Sequence, residues 1–94
     1  MRLDEAEKSG KKYILHHKEG NLWRIMACTN FGNVKKGHLG GLIESEKNLS
    51  HNDDCWVYKG GEVYEKAKIY GNAKIYSGVV CGSAQIYGHA EISG

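Results

Sequence analysis

Branched apolar residues recur through the last third of the chain at Val57, Val63, Ile69, Ile75, Val80, Ile86 and Ile92, six apart at every step except five between Ile75 and Val80. That period excludes a helix, because residues six apart lie about 240° from one another around a 3.6-residue turn and form no single stripe. It fits a repeated strand and corner. Two positions before each branched residue stands a small one: Cys55, Gly61, Ala67, Ala73, Gly78, Ala84 and Ala90. Alternate strand residues share a face, so the small and the branched residue point inward while their neighbours point out. Gly71, Ser77, Gly82, Gly88 and Gly94 follow two residues after the branched one, where the chain has to bend. The missing residue between Ile75 and Val80 falls in such a corner.

Short strands joined by corners, without hairpin turns between long alternating runs, describe a coil of stacked parallel strands rather than a meander. The units AKIYGN (67–72), AKIYS (73–77), GVVCGS (78–83), AQIYGH (84–89) and AEISG (90–94) resemble those of the hexapeptide-repeat proteins, the left-handed parallel β-helix superfamily that includes many acyltransferases. The segment GHLGGLIESEKNLS (37–50), followed by Trp56-Val57, is similar to the lead-in of small bacterial and bacteriophage hexapeptide-repeat proteins, and the likeness runs from about Trp23 to Gly94. The resemblance implies a triangular cross-section, three repeats per coil, and left-handed winding that departs from the right-handed crossover rule. Activity it implies weakly, since fold and function are separable.

The expected fold is therefore all-β: a short left-handed parallel β-helix over 55–94, a hairpin and irregular first coil over 13–54, and a polar tail or short helix over 1–12. Tyr13–His17 and Asn21–Ala27 are the hairpin strands, with Lys18 to Asn21 as the loop, closing the first end of the solenoid. Trp23, Ile25 and Ala27 form the more apolar of the two faces of the second strand. After Gly94 no polar cap follows, so the last coil is expected to offer unpaired strand groups to a second copy or a target protein.

Three repeats per coil define vertical neighbours. Val57, Ile75 and Ile92 should stack inside, as should Val63 with Val80 and Ile69 with Ile86. Outside, Tyr58 should lie over Tyr76, Tyr70 over Tyr87, and Trp56, Lys74 and Glu91 should form one column. The aromatic columns stabilise a sheet by cross-strand stacking. They are also the candidate partner-binding residues, Trp56, Tyr58, Tyr76, Tyr70 and Tyr87, because aromatics are enriched in binding patches.

A chain of 94 residues with one core is small enough that self-association is a reasonable way to bury more surface. Its net charge of +2 indicates neither a nucleic-acid stripe nor an acidic surface. No apolar run reaches membrane-spanning length and the first residues lack a signal-peptide core, so a cytoplasmic protein without a membrane partner is expected. Three cysteines at unrelated spacings form no disulfide framework, and Cys28, Cys55 and Cys81 read as reduced thiols.

Acyltransferases of the superfamily commonly use a histidine as general base, which makes His38, His51 and His89 the candidates if this chain is an enzyme, with His38 and His89 preferred. His38 and His51 lie in loops with no visible carboxylate or nucleophile partner, and His89 takes the outward corner position that Asn72 fills elsewhere. Too few repeats are present for a long acyl-donor groove. Cys28, His38, His51 and Cys55 match no zinc spacing, and Asp53-Asp54 reads as a solvated turn, so neither metal nor cofactor is expected. The expected function is a non-enzymatic protein-binding or assembly module, a homo-oligomer with a protein partner. Likeness to phage-encoded proteins implies, as a special case, an inhibitor of a host defence protein. The alternative is an acyltransferase or an inactive relic of one.

Overall fold

The computed structural model describes residues 2–94; of the expected tail, Met1 lies outside them. Helix α1 (Leu3–Lys8) is followed by β1 (Tyr13–Glu19), β2 (Leu22–Ala27), β3 (Leu39–Ile43), a 3₁₀ turn at Glu46–Asn48, and β4 (Trp56–Val63). The remaining strands are β5 (Lys68–Ile69), β6 (Lys74–Val80), β7 (Gln85–Ile86) and β8 (Glu91–Ile92). One sheet has the order β1-β2-β3-β4-β6-β8, and β5 pairs with β7 in a second.

From β3 onward every pairing between successive coils is parallel, giving a β-solenoid of about three turns. Val57 faces Ile75, which faces Ile92; Val63 faces Val80; Ile69 faces Ile86. Each interior neighbour read from the repeat is present, three units to a turn. Strands β4 and β6 run along one wall, round a corner and onto the next. Their register slips between Val57 and Gly60, where β4 carries one residue more than β6. This bulge is the five-residue step of the sequence: the shorter repeat lies against a full one, and the surplus residue is left out of the ladder.

The irregular coil begins earlier than the clear repeats. Ile43 pairs beside Val63 and Leu49 beside Ile69, both fully buried, so they extend the interior columns down by one turn. The glycine pair before them is required by close packing. A Cβ on Gly40 would lie 2.6 Å from the Trp56 ring, and one on Gly41 would strike the carbonyl oxygens of Gly61 and Tyr58.

Two of the three corners are turned by a left-handed residue two places after the branched one. Gly71 and Gly88 serve one (φ +67° and +65°), and Gly82 serves the other (φ +69°). One turn below Gly82 the same place is held by Glu65, at φ +59°. A non-glycine residue is strained there, and hydrogen bonds offset it. Glu65 N–H donates to the Glu44 carboxylate at 2.7 Å, while the Glu65 carboxylate accepts from Gly82 N–H at 2.9 Å. At the third corner Ser77 is not left-handed, and Gly78 takes the turn at φ +97°.

The hairpin is longer than its sequence suggests. Lys18 and Glu19 belong to β1, paired with Trp23 and Leu22, and only Gly20 and Asn21 turn the chain. A two-residue connection matches the twist of the strands when its first residue has φ > 0, and Gly20 has φ +65°. Strand β2 lies antiparallel on β3, and Ile25 and Ala27 on its apolar face are buried over the open end of the coil. Helix α1 buries Ala6 and is tied outside by Lys36, which bonds Asp4 at 2.7 Å and Glu7 at 3.2 Å.

Candidate functional site

Outward residues one place after each branched residue form vertical pairs. Tyr58 and Tyr76 stack at a centroid distance of 4.7 Å with 22° between planes; Tyr70 and Tyr87 stack at 5.2 Å and 11°. The first pair lies on the β4–β6 wall and the second on the β5–β7 wall. Each is locked at one end: Tyr58 OH donates to Asn33 Oδ1 at 2.9 Å, and Tyr70 OH to Gln85 Oε1 at 3.1 Å. Burial, then the neighbouring Tyr76, pushes the Tyr58 phenol above its ordinary range. Tyr87 is 58% exposed, Tyr76 39% and Tyr70 36%, which leaves substantial ring area in water.

Trp56 does not join them. The expected column is present, since Trp56 pairs with Lys74 and Lys74 with Glu91, but the indole is only 1% exposed. Alternation does point it away from the interior of the coil. The hairpin and the loop after it then cover that part of the wall, and Trp56 meets Phe31 edge-on at 5.2 Å and Tyr13 at 6.2 Å. It is a core residue of the cap, with its ring buried against the hairpin and the loop.

The histidines fall in separate places. His38 precedes β3 and accepts a hydrogen bond from Lys35 N–H through Nδ1 at 3.3 Å. His89 lines an open groove of about 330 Å³ with Asp54, Asn72, Lys74 and Glu91. The groove is polar and of mixed charge, and Lys74 Nζ donates to the Asp54 carbonyl at 3.1 Å. His51, read as lacking a carboxylate, has one. Its Nε2 lies 2.7 Å from Glu46 Oε1, its Nδ1 accepts from Lys12 N–H at 3.0 Å, and its ring stacks on Tyr13 at 4.1 Å. Because Nδ1 accepts, Nε2 carries the proton and donates it to Glu46. Both nitrogens are then engaged by the protein, so His51 has no free nitrogen with which to act as a base. Burial pushes the Glu46 carboxyl up, but hydrogen bonds from His51 and Lys11 outweigh it and leave the group below its ordinary value.

Polar residues of the cap hold backbone that strands do not satisfy. Asn48, buried, accepts from the N–H groups of Glu44 and Ser45 and donates to the carbonyls of Glu65 and Ala67, the last at 2.8 Å. Tyr13 OH donates to the Leu49 carbonyl, and burial, with the Glu46 charge, pushes its phenol far upward. Nothing in the residue pattern marks these contacts, because their partners are main-chain atoms.

Among the described residues no three His, Cys, Asp or Glu side chains are grouped to hold a metal ion. Of the four weighed as a set, Cys28 Sγ donates to the Lys11 carbonyl at 2.9 Å, Cys55 Sγ lies by Lys12 Nζ, His38 bonds Lys35 N–H and His51 bonds Glu46. No described helix is long and apolar enough to cross a membrane. These features define the chain as a β-solenoid with a hairpin cap. No protein-family model matches it, and no curated protein matches it either.

Proposed function

We propose that the protein is a binding module that presents stacked tyrosines on rigid walls to a partner protein. The observation that carries this reading is the pair Tyr70–Tyr87, exposed yet already ordered against each other. Tyrosine offers large contact area with few rotatable bonds, and stacking fixes those bonds beforehand, so less freedom is lost on docking. Tyr58 and Tyr76 form a second, smaller contact on the neighbouring wall. The partner is a protein, which includes a second copy of this chain, and inhibition of a host defence protein by a phage-encoded solenoid is one form the activity takes.

The test is a comparison of wild type with Tyr70→Ser/Tyr87→Ser on a bacterial lysate. One stoichiometric protein retained by wild type and lost by the folded double variant supports the module. Equal retention by both defeats the tyrosine wall as the contact. A second reading, acyl transfer with His89 as base, is favoured by the groove that His89 lines with Asp54, Asn72, Lys74 and Glu91. It expects calorimetric binding of acetyl-coenzyme A that weakens in His89→Ala.

A further inference from the structure

Lys12 is 4% exposed, and its ammonium group sits under the corner Asn52–Cys55. Nζ donates to the Cys55 carbonyl at 2.7 Å and to the Asp53 carbonyl at 3.1 Å, and it lies 3.3 Å from Cys55 Sγ. The Phe31 ring closes the other side, its centroid 4.8 Å from Nζ. Main-chain acceptors account for a buried lysine here, but not for the sulfur. Cys55 fills the small interior position that Gly61, Ala67, Ala73, Gly78, Ala84 and Ala90 fill in the other repeats. A methyl group or less suffices there for packing. The one position with a thiol is thus the one that a buried amine reaches.

We propose that Lys12 and Cys55 form an oxidative modification site, joined under peroxide by a covalent Sγ–O–Nζ bridge. One hydrogen peroxide converts the thiol to the sulfenic acid with release of one water. A second removes two electrons from the sulfenic acid and the neutral amine together. The sulfenyl oxygen bonds to Nζ, one hydrogen leaves oxygen and one leaves nitrogen, and two waters form. Sulfur and nitrogen are both oxidised, and both peroxides are reduced to water. Burial lowers the Lys12 ammonium, which enlarges the share of neutral amine that the second step needs. An oxygen bridge closes less of the 3.3 Å gap than a direct S–N bond would, and so draws Nζ less far off the carbonyls that hold it. The bridge ties the segment after α1 to the first clear coil and fastens the cap.

The experiment treats Cys81→Ser protein, which lacks the exposed thiol, with hydrogen peroxide and measures intact mass, peptide map and melting temperature. The expected product has gained one oxygen and lost two hydrogens, joins the Lys12 and Cys55 peptides, melts higher, and reverts with a thiol reductant. Cys55→Ala, whose alanine matches the other repeats and folds, and Lys12→Arg should both lack the bridged peptide. Recovery of Cys55 as free thiol, as sulfenic or sulfinic acid without a link, or as a product short of two hydrogens only, overturns the bridge.

Discussion

Ile69 and Tyr13 are both buried to 1% or less, yet they are held differently. Ile69 has Leu49 below and Ile86 above, each in the same place on its own turn, and the contact is repeated along every wall. Tyr13 has His51 on its face, Trp56 at its edge and the Leu49 carbonyl on its hydroxyl, a set found nowhere else among the described residues. Repetition distributes stability over many like contacts, as nearest-neighbour terms do in a solenoid. The cap concentrates it in side chains without substitutes, so losses there should be larger.

The sharpest way to break this contrast is Trp56→Ala, which empties the cap core. A loss of about 3–5 kcal/mol is expected by chemical denaturation, as for large aromatic truncations in cores. A loss no greater than that of a surface tyrosine would mean that the cap adds nothing. Asn48→Ala follows, because it strands the N–H groups of Glu44 and Ser45 and the carbonyls of Glu65 and Ala67; roughly 2–3 kcal/mol is expected if water cannot enter.

Titration sharpens the same contrast. The Tyr13 phenol is raised above its ordinary 10.0, so the folded chain keeps a proton that the unfolded chain releases. Its contribution is whole below that pH and is lost above it, and Tyr13→Phe should flatten the fall in melting temperature on the alkaline side. Lys12 acts in the opposite sense. Its value is lowered from 10.5, the unfolded chain binds the extra proton, and stability gains from this group as pH rises toward 10.5. On the acid side, the lowered Glu46 carboxyl supports the fold above its ordinary 4.5, and that support is lost as pH falls through the folded value; Glu46→Gln should remove this part of the slope. The smallest effect belongs to the walls. Tyr87→Ser should cost about 0.2–1 kcal/mol, the range of one cross-strand pair, while changing partner retention far more.

Legibility follows the same division. Vertical neighbours could be read because each residue type recurs at a fixed spacing, and even the register slip beside Ser77 is visible as a five-residue step. Ile43 and Leu49, also six apart, were masked by the eight-residue step from Leu49 to Val57. Trp56 was placed on the outside by alternation, which tells which way a side chain points but not what lies over it. Lys12 sits in a stretch that reads as a polar tail, and its acceptors are carbonyls, which leave no trace in residue identity. The Glu46–His51 bond spans a 3₁₀ turn and an irregular corner, so no helical or strand spacing announces it.

The two tyrosine pairs belong to separate sheets that meet along an edge of the solenoid. A planar surface can rest on one of them but not on both at once. On the binding role proposed above, an associate that engages the four rings together must fold itself around that ridge and one that stays flat should bind twice, so the molar ratio at saturation would report its shape.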